Sequence, residues 1–238
     1  MSKRDKIVGI LGGMGPESTA ELFLRIIKAT PVKREQEHLR IIIDNNPGIP
    51  DRTRAILNKG QSPLEEMVST ALNLERAGAE LIAIPCNTAH YWLDDLRQRV
   101  SVPVIDMISE TSDYVSTRFS VIKKVGLLAT SGTVEAELYQ GRLKPRVVLL
   151  PDSESQAALM DVIYGEGGIK LGFTEGVAQE RALSIAQALV GGGTQALILG
   201  CTEISLVLAG EDIGVPLIDP LQVLAEAVVR EARHTGKI

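Results

Sequence analysis

Residues 79–88 read Ala-Glu-Leu-Ile-Ala-Ile-Pro-Cys-Asn-Thr, and residues 194–203 read Thr-Gln-Ala-Leu-Ile-Leu-Gly-Cys-Thr-Glu. Each stretch is an apolar run that ends in a cysteine followed by small polar side chains. Two more pairs of segments match in the same order: Val8 to Gly12 with Lys124 to Leu128, and Val102 to Asp106 with Val215 to Asp219. The offsets are 117 residues for Val8-Gly9 with Val125-Gly126, 115 for Ala79 with Thr194 and 113 for Val102 with Val215. Ordered matches at a nearly constant offset predict two similar halves.

Short β-branched runs alternate with longer amphipathic segments along the whole chain. We expect buried strands at Lys6–Leu11, Leu39–Ile43, Leu81–Pro85, Pro103–Ile105, Val125–Leu128, Val147–Leu150, Ala196–Leu199 and Pro216–Ile218. Between most of them we expect helices, at Pro16–Ala29, Pro63–Ala77, Val134–Tyr139, Glu154–Tyr164, Thr174–Val190 and Leu221–Ala232. Such alternation is typical of α/β proteins with parallel sheets covered on both faces.

The pattern therefore predicts an α/β fold of two similar parallel-sheet domains with the active site in the cleft between them. We place the first domain at residues 1–107 plus 214–238 and the second at residues 108–213. Each domain would contribute one cysteine at the carboxyl end of its third strand, so a site between the domains would contain both thiols.

Composition narrows the class of function. The 238 residues are 45% apolar and carry a net charge of −5, and only 3% are aromatic. That balance gives little basis for binding nucleic acid, by charge or by base stacking. No apolar run approaches the length of a signal peptide or a membrane span. We expect a soluble, cytoplasmic protein with no nucleic-acid or membrane partner.

Cys86 and Cys201 are the only cysteines in the chain. In the cytoplasm they would be reduced thiols, and a single buried cysteine is commonly a packing residue. The pair favours catalysis, because each follows a strand at the expected start of a helix, where the helix dipole lowers a thiol pKa. A reversible disulfide in a redox-sensing module is the alternative.

Polar clusters follow several of the expected strands. Ligands of parallel sheets bind beyond the carboxyl ends of the strands, where helix N-termini and small polar side chains receive anions well. The clusters are Gly12-Gly13-Met14-Gly15, Asp44-Asn45-Asn46, Cys86-Asn87-Thr88, Thr130-Ser131-Gly132-Thr133 and Cys201-Thr202-Glu203. We therefore expect a small substrate that carries a carboxylate.

Other interpretations of these motifs are weaker. The glycines after the first strand lack both the G-x-G-x-x-G spacing and a Walker lysine, although Asp44 keeps a dinucleotide-binding module open as an alternative. Cys86 and His90 stand four residues apart, but no third nearby ligand completes a metal site. Arg52 and Lys170 are lone cations among Pro or Gly in long connections, where they either face solvent or capture a carboxylate.

Three motifs carry a resemblance to a known family. Gly12-Gly13-Met14-Gly15-Pro16-Glu17-Ser18-Thr19, Pro85-Cys86-Asn87-Thr88-Ala89-His90 and Gly200-Cys201-Thr202-Glu203-Ile204 resemble the aspartate/glutamate racemase superfamily, above all its aspartate branch. The resemblance spans essentially the whole chain. Glutamate racemases usually carry Asp-Ser-Gly after the first strand and a histidine after the second Cys-Thr, where this chain has Gly12-Gly13-Met14 and Glu203.

The resemblance implies a racemase, most of all one that converts L-aspartate to D-aspartate, in which Cys86 and Cys201 serve opposite faces of the α-carbon. Glutamate or broader amino-acid specificity is the alternative, and a relative that uses its thiols for decarboxylation or isomerisation is the rival. The resemblance also implies a homodimer with no cofactor, pyridoxal phosphate or metal. Arg52 and Lys170 would hold the side-chain carboxylate. The remaining candidate substrate-binding residues are Met14, Asn87, Thr88, Thr130, Thr133, Thr202 and Glu203. Because Glu203 is close to Cys201 in the sequence, we also expect it to tune that thiol.

Overall fold

A computed structural model describes residues 4–208 and 213–233. It contains two parallel sheets, which confirms the predicted fold class. The first sheet has the order β2-β1-β3, and the second has the order β5-β4-β6-β7. The strands are β1 (Val8–Gly12), β2 (Ile41–Asn45), β3 (Leu81–Ala83), β4 (Lys124–Leu128), β5 (Val147–Leu149), β6 (Ala196–Leu199) and β7 (Leu217–Ile218). The outer ends of the predicted first domain, residues 1–3 and 234–238, lie outside the described residues.

The two sheets repeat one topology. β1 lies between β2 and β3 as β4 lies between β5 and β6, and all these pairs are parallel. β7 then pairs with β6. The predicted strand Pro103–Ile105 is only a single parallel bridge between Ile82 and Val104. It occupies the place beside β3 that β7 occupies beside β6, so the duplication extends to a fourth position in each half.

Helices cover both sheets, and most predicted helices are present with shifted ends. They are α1 (Pro16–Ala29), α2 (Arg52–Ile56), α3 (Leu64–Arg76), α4 (Leu93–Arg97), α5 (Met107–Arg118), α6 (Ser131–Glu135), α7 (Ser153–Tyr164), α8 (Val177–Gly191), α9 (Thr202–Leu208) and α10 (Pro220–Ala232). The prediction of a helix at Val134–Tyr139 is wrong. The helix starts earlier because the Thr130 side chain caps it by accepting from the Thr133 N–H.

The last described helix packs on the first sheet rather than the second. Leu221, Leu224 and Val228 of α10 share a core cluster with Val8 and Ile10 of β1. A separate cluster fills the space between the second sheet and α7, α8 and α9. The chain therefore returns to its first half after β7. Among the described residues, no helix is both long and apolar enough to span a bilayer.

Two aspartates at the ends of the repeated Val-Pro-x-Ile-Asp segments join the halves. Asp106 caps α5 and accepts from Arg142, which follows α6, at 2.9 Å. Asp219 caps α10 and forms an ion pair with Arg25 of α1. Asp106 follows the first sheet and bonds an arginine that follows β4, whereas Asp219 follows β7 of the second sheet and bonds an arginine that follows β1.

These two ion pairs are predicted to differ in strength because their arginines differ in exposure. The Arg25 side chain is 10% exposed and that of Arg142 is 43% exposed. Asp219→Ala should lower the free energy of unfolding by about 3 kcal/mol or more, because it leaves a buried charge with Glu21 as its remaining partner. Asp106→Ala should cost about 1 to 2 kcal/mol, the value of a helix cap and an exposed pair. Urea denaturation measures both, and equal losses would contradict the difference.

Candidate active site

One cavity lies where the carboxyl ends of β1, β3, β4 and β6 meet, and residues from both halves line it. They are Met14, Arg52, Cys86, Asn87, Thr88, Thr130, Tyr164, Lys170, Cys201, Thr202 and Glu203. Only about 10 Å³ is open to the centre of a water-sized sphere, which is room for about one water molecule. The structure thus brings all but one of the predicted site residues to the wall of one closed cleft.

Cys201 is bonded to a carboxylate. Its sulfur donates to Glu203 Oε2 at 3.0 Å, and both residues are buried. Burial raises the pKa of the Cys201 thiol well above its ordinary value, and the negative charge of Glu203 raises it further. The prediction of a lowered pKa for this thiol is wrong, because burial and the adjacent carboxylate raise it. Cys201 is therefore held as a neutral thiol.

Lys170 is not the lone cation that the sequence suggests. It lies in a 3₁₀ turn, Ile169–Leu171, and its Nζ is 2.5 Å from Glu203 Oε1 and 3.4 Å from the Met14 carbonyl oxygen. Burial opposes both charges of the pair. Even so, the attraction of Glu203 raises the pKa of Lys170, and Lys170 with the Cys201 hydrogen bond lowers the pKa of Glu203. The pair is a buried, charged ammonium and carboxylate.

Arg52 supplies a positive charge beside Cys86. It begins α2 instead of lying in a loop, and its guanidinium donates to the carbonyl oxygens of Ile49, Pro50 and Met14 at 2.9 to 3.3 Å. Burial opposes its charge, but the nearby Cys86 sulfur raises the pKa of Arg52. No carboxylate in residues 4–208 and 213–233 forms an ion pair with it, and its Nε has no hydrogen-bond partner there.

His90 supports the backbone of Cys86 from behind the cavity. Its Nε2 accepts from the Met107 N–H at 3.1 Å, so its Nδ1 carries the proton and donates to the Cys86 carbonyl oxygen at 2.8 Å. Burial lowers the pKa of His90, which keeps the ring neutral. Both ring nitrogens are thus engaged by the backbone, and His90 holds the Cys86 segment against the start of α5.

Three threonine hydroxyls from both halves form a hydrogen-bonded cluster. Thr88 Oγ1 is 3.0 Å from Thr130 Oγ1 and 2.8 Å from Thr133 Oγ1. Thr133 is fully buried behind the other two and does not line the cavity. On the opposite side, Thr202 Oγ1 lies 3.2 Å from Glu203 Oε2. These hydroxyls can reorient to donate to an anion in the cavity.

Tyr164 and Tyr139 are site residues that the sequence analysis missed. Tyr164 ends α7 and lines the cavity, and its ring centroid is 5.5 Å from Lys170 Nζ. Tyr139 lies behind the cavity and bonds Asn87. Tyr164 precedes the glycine-rich segment that carries Lys170, which is a signal that could have found it. No local pattern points to Tyr139.

Two thiols and two cations between similar α/β halves are the features of this site that define its class of protein. The family model for Asp/Glu/hydantoin racemases matches residues 11–228. The chain belongs to this family.

Individual relatives cover nearly the full length of the chain. The broad specificity amino-acid racemase RacX of Bacillus subtilis (strain 168) is 27% identical over 94% of this chain and 96% of its own length. The structure of Picrophilus torridus aspartate racemase is 31% identical with a TM-score of 0.83, covering 95% of this chain and 94% of that one. An aspartate racemase homologue from Pyrococcus horikoshii OT3 is 27% identical with a TM-score of 0.72, covering 96% and 99%.

The contact between Cys201 and Glu203 predicts a measurable pKa change. In the Cys86→Ala background Cys201 is the only thiol, so its ionisation can be followed by the ultraviolet absorbance of the thiolate. Glu203→Gln in that background should lower the pKa of Cys201, because the change removes a negative charge that favours the neutral thiol and leaves Lys170 nearby.

Glu17→Gln is the matched control, since Glu17 is an exposed acid whose charge is screened by solvent. It should leave the titration of Cys201 unchanged. A pKa of Cys201 that stays the same or rises in Glu203→Gln would show that Glu203 does not hold the thiol protonated.

Proposed function

We propose that this protein is an amino-acid racemase that interconverts L-aspartate and D-aspartate, with Cys86 and Cys201 as the two acid–base groups. One observation carries the proposal: two free, buried thiols from corresponding strand ends of two similar halves line a single cavity. Inversion by proton exchange needs a base on one face of the α-carbon and an acid on the other. Two like groups from two like halves supply that arrangement.

The surroundings of the thiols suggest which one starts as the base. Cys201 donates a hydrogen bond to Glu203 and keeps its proton, so it begins as the acid. Cys86 has no carboxylate bonded to it within the described part of the chain and lies beside the charged Arg52, so we assign it the role of the base. The Cys86 thiolate removes the α-proton from one face, and the Cys201 thiol delivers a proton to the other. The two protonation states are then exchanged, and the opposite enantiomer reacts in the reverse direction.

Removal of an α-proton needs stabilisation of the negative charge that develops, since the amino-acid α-carbon is a very weak acid. Hydrogen-bond donors that point at the α-carboxylate provide this stabilisation. The candidates at the cavity are the hydroxyls of Thr88, Thr130 and Thr202 and the amide nitrogen of Asn87. Thr133 supports the first two hydroxyls from behind. Both proton transfers use thiols, so we propose a reaction that needs no pyridoxal phosphate, metal or other cofactor.

Arg52 is the group that favours a substrate with a second carboxylate. It is a buried cation that forms no ion pair with a carboxylate among the described residues, and an aspartate side chain would supply that carboxylate. Lys170 borders the same cavity, but Glu203 already neutralises it. Because Lys170 is already neutralised, it does not select for a second carboxylate, and this favours a broad-specificity racemase as a second candidate. A broad-specificity racemase and an aspartate racemase each resemble this chain over nearly its whole length.

Substrate entry requires the halves to separate, because the cavity holds about one water molecule. We propose that the two predicted domains, residues 1–107 plus 214–238 and residues 108–213, move about the two chain crossings, with the second crossing after β7 rather than at residue 214, because β7 pairs with β6. We also propose a cytoplasmic homodimer. The free state of both buried cysteines fits a reducing compartment.

Loss of either thiol should abolish racemisation. Cys86→Ala and Cys201→Ala should each lower the rate by a factor of about 10² to 10⁴, the usual contribution of an acid–base group. In deuterium oxide each variant should still exchange the α-proton of one enantiomer without inversion, and the two variants should prefer opposite enantiomers. Circular dichroism checks that both fold. Full racemase activity in either variant would rule out the two-thiol mechanism.

The choice of substrate depends on Arg52. Arg52→Ala should lower kcat/KM for aspartate by a factor of about 10 to 100, the value of a charge-assisted hydrogen bond. Arg54→Ala, an exposed arginine of the same helix, is the matched control and should change little. Lys170→Ala should also impair turnover, but it also leaves Glu203 unpaired, so Arg52 is the sharper test.

Asparagine and alanine lack the second charge and should be poor substrates for the unmodified enzyme. Equal rates for aspartate and asparagine, together with unchanged aspartate kinetics in Arg52→Ala, would refute the dicarboxylate assignment. The broad-specificity candidate would then stand.

A further inference from the structure

Tyr139 is a buried phenol that touches the site without lining it. It follows α6 and packs among core residues of the second sheet, including Val125 and Ile198. It is fully buried, and its hydroxyl donates to Asn87 Oδ1 at 2.5 Å. Asn87 follows β3 of the first sheet, so this hydrogen bond joins the core of one half to the catalytic segment of the other.

The other end of the Asn87 amide is unoccupied. Asn87 lines the cavity next to Cys86 and is 2% exposed. Its Nδ2 is buried and has no hydrogen-bond partner among the described residues. A buried amide nitrogen without an acceptor is costly, and such groups occur where a ligand completes them. The wall of the cavity thus holds a donor that lacks its acceptor.

The phenol determines which end of the amide is presented. Burial raises the pKa of Tyr139 far above its ordinary value, so the hydroxyl keeps its proton and can donate. A donor selects the oxygen of a planar amide rather than its nitrogen. With Oδ1 bonded to Tyr139, Nδ2 is left to face away from the phenol. In the flipped orientation the amide would present an oxygen to a substrate carboxylate, which is repulsive.

We propose that Tyr139 is a positioning residue that orients the Asn87 amide so that Nδ2 donates to the α-carboxylate of the substrate. This inference rests on the proposed function and adds to it a residue that acts through Asn87 from outside the cavity. The donor gains strength as negative charge builds on the carboxylate during proton removal, so the phenol serves the transition state as well as binding.

A double-mutant cycle tests this coupling. Asn87→Ala and Tyr139→Phe should each lower kcat/KM by a factor of about 10 to 100. Tyr139→Phe should have almost no further effect when Asn87 is already alanine, because the group that the phenol orients is gone. A merely structural tyrosine would cost the same factor in both backgrounds, and that additive result would overturn the proposal.

Tyr114→Phe is the matched control, since Tyr114 packs against the same core cluster and makes no contact with the site. It should leave kcat/KM unchanged. Thermal unfolding of Tyr139→Phe and Tyr114→Phe separates loss of stability from loss of orientation. Wild-type kcat/KM in a folded Tyr139→Phe protein would also overturn the proposal.

Binding of succinate by calorimetry gives a readout that does not depend on turnover. Succinate carries two carboxylates and has no stereocentre, and Tyr139→Phe and Asn87→Ala should weaken it with the same non-additivity. If the wild-type protein binds succinate but racemises no amino acid, the proposed function fails and the binding cycle alone decides the role of Tyr139. Succinate affinity that both variants leave unchanged, in a protein shown to be folded, would count against an Asn87 donor.

Discussion

The chemistry of the cavity depends on the contacts of one buried carboxylate. Glu203 bonds the ammonium of Lys170 through one oxygen and the thiol of Cys201 through the other. A carboxylate in this position needs a cation, and Lys170 meets that need from a glycine-rich segment of the same half. The carboxylate in turn holds Cys201 protonated. One buried charge therefore both binds the segment that carries Lys170 to the cavity wall and keeps the Cys201 thiol protonated.

The duplication of the α/β half explains where the two cysteines lie, and the differences between the halves explain why their surroundings differ. β3 pairs with β1 as β6 pairs with β4, so their carboxyl ends place Cys86 and Cys201 at corresponding positions. The surroundings differ, however. Arg52 accompanies Cys86, whereas Glu203 accompanies Cys201. Like positions bring like groups from both halves to one cavity, and in the proposed mechanism their unlike neighbours make Cys86 the base and Cys201 the acid.

The sequence was sufficient for the fold and for most of the cavity wall, because both follow from local patterns. Apolar runs located the strands, and the repeat aligned Cys86 with Cys201. What it missed depends on contacts across the fold. The pairing of Lys170 with Glu203 spans 33 residues, and the bond from Tyr139 to Asn87 spans 52. The pKa of Cys201 was predicted in the wrong direction because burial and the charge of Glu203 raise it, and no local pattern measures burial.

The central claim is that two thiols on opposite faces of the α-carbon exchange one proton each per turnover. Racemisation of a single enantiomer in deuterium oxide, stopped early, tests it most directly, because a thiol proton equilibrates with solvent before it is delivered. The account predicts that the product enantiomer carries deuterium at the α-carbon while the remaining substrate keeps its hydrogen. A product that retains the original α-hydrogen would show that a single base moves the proton between faces, and would contradict the account.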